Sequence, residues 1–326
     1  MPVTTYDIAR KLGISQSTVS RVLNGVQGYR VAESTRIRVL ELSRQMGYRP
    51  NSIARSLRTR RTNLVGFYSG YGYLDARNAY IASVIGALQQ ACDAEMLDIL
   101  LHGAFRQRTT DDVYGELVDG RIDGLFLHTS STDPLVGLLV ESSLPVVAIT
   151  DALPGLASVV ADDADGIRQT IEYLFARGHR RIAYLAPEPR YVSVENRIHA
   201  FQREMHARGE SDAVVIRNKF VEDDTSPKVL EMAGSPTAIC CWNDLTAAEL
   251  WVSCRACGIR VPTELAIVGF DGVLDTRLMA QALTTVAVPW DLLGQQAVAL
   301  LQAQIRGNEV PCQTNVPVRL VPGETS

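Results

Sequence analysis

From Asn63 to the end of the 326-residue chain, short apolar runs alternate with longer stretches of helical periodicity. The runs are "NLVGFY", "LDILLH", "GLFLHT", "VVAIT", "SVVAD", "IAYLAP", "AVVIRN", "AICCWN" and "LAIVGFD". Between them lie "ASVIGALQQACDAE", "DGIRQTIEYLFARG" and "VENRIHAFQREMHARG". Strands joined through helices pair in parallel, so the alternation predicts an α/β body with helices on both faces of a parallel sheet. The runs are too many for one tidy sheet, and "SVVADD" restarts the pattern midway, so two similar lobes are expected.

Open α/β sheets bind ligands outside the carboxyl ends of their strands. After the first run comes "YSGYGYLDARN", which offers Tyr68, Tyr71, Tyr73, Asp75 and Asn78. His128 follows the third run and Asp151 the fourth. The second lobe contributes Pro187 to Ser193, then Glu195 and Arg197, then Trp242-Asn243-Asp244 and finally Asp271. The ligand contacts expected from this set are Tyr68, Tyr73, Asn78, His128, Asp151, Tyr191, Arg197, Trp242, Asn243 and Asp271. Carboxylates and an arginine bind hydroxyls by charge-assisted hydrogen bonds, and a ring covers an apolar sugar face. A sugar is therefore the expected ligand, with a nucleobase or nucleoside stacked on the tyrosines as the alternative. Asp244 is equally well read as the cap of a helix beginning at Leu245, and Arg197 as one member of a structural ion pair. His179 and Arg180 belong to a turn.

The first sixty-one residues differ in charge. They hold twelve Arg and Lys against Asp7, Glu33 and Glu41, a balance of +9; the rest holds 20 basic and 33 acidic residues, a balance of −13. Such a split points to a polyanionic partner for the basic part rather than to a merely solvated face. Thr5 is placed to cap a helix through "YDIARKLG" that stops at Gly13, and Ser15 to cap a second helix with Val19, Val22 and Leu23 inward. A third runs from about Glu33 to Met46 with Ile37, Leu40 and Met46 inward. Two short helices across a tight turn, buttressed by a third, make a helix-turn-helix. Gln16, Ser17 and Arg21 then face outward near the start of the second helix, where base edges in the major groove are reached. Gln suits adenine, Arg suits guanine, and Ser suits either. Thr5, Ser15, Thr18, Ser20 and Asn24 are candidate phosphate contacts through hydroxyls, amides and helix-start N–H groups. A small protein-binding module is the alternative.

Pro50 opens "PNSIARSLRTRRTN", where Asn51 can cap a two-turn helix from Ser52 to about Arg58. Alone in water so short a helix is marginal. Ile53 and Leu57 share one side, and arginines flank them. Leu57 suits a minor-groove wedge with Arg55 beside it, and Asn51, Ile53 and Ala54 complete its DNA-facing set. A flexible basic linker is the alternative.

"TTYDIARKLGISQSTVSRVLNG" and "STRIRVLELSRQMGYRPNSIARSL" resemble the lactose-repressor/galactose-repressor (LacI/GalR) family of bacterial transcription regulators, and the likeness runs along essentially the whole chain. It implies a homodimer on a near-palindromic double-stranded operator, with paired hinge helices in the minor groove and Leu57 as the intercalating leucine. It also implies a type I periplasmic-binding-protein-like body whose chain crosses between lobes three times. Residues 1–48 would then read DNA and 49–61 form the hinge. Residues 62–326 would bind the effector, with one lobe from about 62–161 and 290–317 and the other from 162–288 and 318–326. Arg197 in "RIHAF", where Ala200 replaces the family's glycine, Asn243-Asp244 in "WND" and Asp271 in "VGFD" match effector-site positions. The connection "VQGYR" is longer than in many relatives.

Other classes fit less well. No run of about 18 apolar residues offers a membrane span, and the N-terminus lacks the apolar middle of a secretory signal, so a cytoplasmic bacterial protein is expected. That also opposes a transporter's solute-binding protein. The Cys254/Cys257 pair has no second pair or nearby histidine to complete a metal site. No nucleophile elbow or Walker loop marks an enzyme. No cofactor is expected, and nothing at the chain's end argues for a tetramer.

Overall fold

The computed structural model describes residues 3–24, 31–49, 56, 59, 61–72, 74–75, 77–103, 108–188, 191–210, 213–218, 235–274 and 281–326. The expectations for Asn51, Ile53, Ala54, Arg55, Leu57 and Tyr73 lie outside the described residues. The chain divides into two units, Met1–Thr62 and Asn63–Ser326.

In the first unit α1 (Thr5–Leu12), α2 (Gln16–Leu23) and α3 (Glu33–Gln45) form the three-helix arrangement. The cap of α1 is Thr4, not Thr5 as expected. Thr4 Oγ1 accepts from the Asp7 N–H, and the Asp7 carboxylate accepts from the Thr4 N–H, a reciprocal box that satisfies two orphan donors. The Thr4 hydroxyl, donating to Asp7 Oδ2 at 2.7 Å, and then the Thr4 N–H hold the Asp7 carboxyl below its ordinary value. Gly13 ends α1 in the left-handed region at φ 66°. Ser15 caps α2 by accepting from the Thr18 N–H. Ile8, Ala9, Val19 and Val39 are buried at the centre, with Leu12, Val22, Leu23, Leu42, Met46 and Tyr48 packed around them. The inward face of α3 departs from expectation. Met46 packs inward as expected, but Ile37 is 48% exposed and Leu40 lies outside the cluster, and Val39 and Leu42 take their place. At 100° per residue, Ile37 is turned about 200° from Val39, so both cannot face inward.

The second unit runs β1 (Leu64–Ser69), α4 (Ala79–Ala94), β2 (Asp98–His102), α5 (Thr110–Leu117), β3 (Gly124–His128), α6 (Pro134–Val140), β4 (Val146–Ile149) and β5 (Ala157–Ala161). It continues with α7 (Asp163–Ala176), β6 (Ile182–Pro187), α8 (Val192–Ala207), β7 (Val214–Asn218), β8 (Ala238–Cys241), α9 (Asp244–Ala256), β9 (Ala266–Asp271) and β10 (Thr284–Ala287). The last elements are α10 (Trp290–Ile305), β11 (Gln313–Val316) and β12 (Arg319–Val321). One sheet has the order β11-β5-β4-β3-β1-β2 and the other β12-β10-β9-β8-β6-β7, so the two lobes repeat one winding. Among the described residues all pairings are parallel except that of β12 with β10. The chain passes from the first sheet to the second between Ala161 and Ile182. It returns between Ala287 and Gln313 and crosses again between Val316 and Arg319. β3, β4 and β5 are buried along their whole length, as strands covered on both faces must be. α10 packs against α4 through Gly294, where a Cβ would stand 2.5 Å from the Ala87 carbonyl oxygen. In both sheets the order reverses beside the first strand of the lobe, β1 or β6, and a crevice opens there at the strand ends.

Candidate functional site

A cleft of about 680 Å³ lies between the carboxyl ends of the two sheets. The first lobe lines it with Ser69, Tyr71, Asp75, Asn78, Tyr80, His128 and Asp151, the second with Tyr191, Ser193, Arg197, Trp242, Asn243 and Asp271. Of the ten ligand contacts expected from the sequence, it therefore gathers Asn78, His128, Asp151, Tyr191, Arg197, Trp242, Asn243 and Asp271. Tyr68 is not among the lining residues. Side chains of a strand alternate in direction, so Tyr68 shares a face with Leu64 and packs on the core of Leu117, Leu125, Leu127 and Leu135. Ser69, the next residue, lines the cleft instead.

Each side chain is set by the end of an element. Asn78 caps α4 by accepting from the N–H groups of Tyr80 and Ile81. Asn243 caps α9 by accepting from the Thr246 N–H at 2.8 Å. Asp244 is therefore not the cap. It begins α9 at 1% exposure, where it accepts from the Val273 N–H and the Thr285 hydroxyl and so pins the β9 and β10 ends. Burial pushes its carboxyl up to about 6, against those hydrogen bonds. Thr150 and Asp271, just past β4 and at the end of β9, have φ of 70° and 109°. Left-handed backbone at non-glycine residues stores of order 1–3 kcal/mol each and clusters at ligand sites.

Arg197 is 7% exposed. Its Nε donates to Asp163 Oδ1 at 2.7 Å and a terminal nitrogen to the Trp242 carbonyl at 2.6 Å; Asp271 Oδ1 lies 3.7 Å away. The guanidinium lies 3.5 Å from the centre of the Phe270 ring. Burial opposes its charge, but Asp163 and Asp271 outweigh that and raise its pKa. Burial likewise pushes Asp163 up to about 6 and Asp271 well above the carboxylate range, with Arg197 pulling both back. The two readings of Arg197 are thus not exclusive: it is the centre of a buried ion cluster whose edge forms the cleft wall.

Asp151 joins the lobes. It accepts from the Tyr71 hydroxyl at 2.9 Å on its own side and from the Ser193 N–H of the opposite lobe at 2.8 Å. Tyr71 sets its ring edge on His128 at 4.7 Å and on Tyr191 at 5.2 Å, and Tyr191 stacks on Trp242 at 5.9 Å. Burial pushes His128 down to about 4, against the pull of Asp151, so its ring is neutral at pH 7; its Nδ1 pairs with the Thr150 hydroxyl. The indole Nε1 of Trp242 is buried and has no hydrogen-bond partner among the described residues. Tyr80 and Asp163 escaped the sequence reading. Tyr80 follows a cap that could have flagged it, whereas nothing distinguishes Asp163 from its acidic neighbours in "ADDADG".

On the first unit, α2 carries the expected reading set. Gln16 and Ser17 are exposed and Arg21 is half-buried. Gln16 Nε2 donates to the Thr5 hydroxyl oxygen at 3.0 Å. The Ser15 hydroxyl bonds those of Ser17 and Thr18 at 2.9 and 2.8 Å. Asn24 donates its side-chain amide back to the Ser20 carbonyl and hydroxyl oxygens.

A helix-turn-helix unit and a two-lobed body with a cleft lined by polar side chains define a DNA-binding regulator. Residues 4–51 match the model of the lacI family of bacterial regulatory proteins, and residues 171–326 match that of the periplasmic binding protein-like domain. It is 28% identical to the transcriptional regulator DegA of Bacillus subtilis over 308 residues, 91% of this chain and 89% of the relative. It is also 28% identical to the transcriptional repressor PurR of Escherichia coli over 333 residues, 98% and 95% of the two chains. A lac repressor dimer bound to operator and the anti-inducer ONPF superposes with a TM-score of 0.85 at 25% identity, covering 100% of this chain and 99% of the other. The regulator CelR in complex with cellobiose gives 0.72 at 25% identity over 99% and 100%. The chain is a transcriptional regulator, not an enzyme. No helix among the described residues is long and apolar enough to cross a membrane.

Proposed function

We propose that the chain is a repressor which holds a near-palindromic operator as a homodimer, and that a sugar entering the cleft changes that hold. In this reading residues 1–48 read DNA, 49–61 form the hinge and 62–326 sense the ligand. The carrying observation is the Asp151 bridge. The lobes are joined by hydrogen bonds to a carboxylate in the ligand's own space. A hydroxyl-rich molecule can exchange such bonds one for one, so occupancy and lobe arrangement are coupled. The coupling can be no larger than the ligand's differential affinity for the two arrangements. The operator-bound lac repressor dimer and the cellobiose complex of CelR support the same reading. A sugar fits better than a nucleobase because Tyr191 and Trp242 already stack on each other, leaving one ring face rather than a slot.

The test is a genomic selection for preferred duplexes. Operator affinity is then titrated with mono- and disaccharides and, in parallel, with nucleobases and nucleosides. A duplex preference altered by a sugar supports the proposal. No preferred duplex overturns the repressor reading, and a response to nucleosides alone replaces the effector class.

A further inference from the structure

We propose that Thr5 selects the base read by Gln16, making Gln16 an adenine reader in each half-site. The inference rests on the reading of the first unit as an operator-binding head. Gln16 is the first residue of α2 and is exposed, whereas Thr5 is the first residue of α1. The two are joined by one bond, in which Gln16 Nε2 donates to Thr5 Oγ1 at 3.0 Å.

In this bond the amide presents its nitrogen to Thr5. A primary amide has two N–H donors and one carbonyl acceptor. With one N–H given to Thr5, Gln16 keeps one N–H and the Oε1 acceptor. Adenine shows the complement in the major groove, an N7 acceptor beside an N6 amino donor. The reversed amide would accept from the Thr5 hydroxyl through Oε1 and present two donors, the pattern that guanine N7 and O6 require. Because Thr5 serves as acceptor, its own hydroxyl proton remains to donate to a phosphate oxygen. A backbone contact and a base contact are thereby linked through one hydroxyl. The neighbouring Ser17 hydroxyl is turned back to Ser15 at 2.9 Å, which makes Gln16 the better-aimed of the two adjacent polar side chains.

Thr5 is thus a positioning residue acting through Gln16, and the decisive readout is base preference rather than affinity. The full-length protein would be tested on half-site libraries in which each base pair is varied, with the variants Gln16→Ala, Thr5→Val and Thr5→Ser. The wild type should favour adenine at one position of each half-site by about tenfold, the size of a good bidentate base contact. Gln16→Ala should abolish the preference at that position alone. Thr5→Val should flatten it toward equal binding of the four pairs, and Thr5→Ser should restore it. A Gln16-dependent preference for guanine would overturn the proposal. So would Thr5→Val weakening all sequences alike with an unchanged profile, the behaviour of a simple phosphate contact. A wild type with no preference at any position would instead sink the operator-binding reading beneath it.

Discussion

Trp242 has a buried N–H with no hydrogen-bond partner among the described residues while its ring is stacked on Tyr191. A buried donor left unpaired costs about 1–3 kcal/mol, which a ligand acceptor would relieve. Trp242→Phe should therefore lower sugar affinity by about tenfold, the equivalent of about 1.4 kcal/mol, while leaving the melting temperature unchanged or slightly raised. Calorimetric titration and thermal unfolding of the same variant separate the two effects; a lower melting temperature with undiminished binding would contradict the assignment. His128 gives a pH test. Its folded pKa is about 4, below the ordinary 6.5, so the unfolded state binds more protons between those values. Its contribution is complete above about pH 6.5 and is lost as pH falls toward 4. The stability difference between the wild type and His128→Gln should shrink over that window by on the order of 2–3 kcal/mol. Denaturant midpoints measured at pH 7.5 and 4.5 decide it, and a difference independent of pH would show that the imidazole is not held neutral.

At the scale of elements, α10 approaches α4 closely at Gly294. A methyl at Gly294 would press on the Ala87 carbonyl at 2.5 Å, and backbone cannot yield as a flexible side chain can. Gly294→Ala should cost about 1–3 kcal/mol in the unfolding of the body, with no change at the head. Domain-resolved thermal unfolding would show it, and an unshifted body transition would mean that the two helices stand further apart. The same pair marks what was legible in the sequence. Long periodic helices such as α8 and apolar strands such as β3 and β9 could be read because burial on both faces leaves a continuous signal. β10, β11 and β12 were passed over because four or fewer residues, several of them polar, carry no period. Most of the cleft was legible because strand ends point there by topology. Tyr68 packs on the core instead because one residue's step along β1 reverses the face. Asp163 was missed because its importance comes from Arg197, which reaches it from α8.

For the whole molecule, the uneven charge predicts that its two binding events respond differently to salt. The basic residues concentrated before Asn63 face a polyanion whose condensed counterions are released on binding. The buried charges at the cleft are already paired or bridged, Arg197 with Asp163 and Asp271 and Asp151 with Tyr71 and the Ser193 N–H, and the half-exposed Asp75 is paired with Arg77. A neutral sugar entering them displaces no counterions. Operator affinity should therefore fall by about 10³–10⁵ between 50 and 200 mM salt if six to ten phosphates are contacted, while sugar affinity changes little. Anisotropy on the selected duplex and calorimetry on the isolated ligand, run over the same salt series, give the two slopes. A steep salt dependence of ligand binding would mean that the effector is itself charged. A flat one for the operator would mean that the basic head does not neutralise phosphates and that the charge split has another cause.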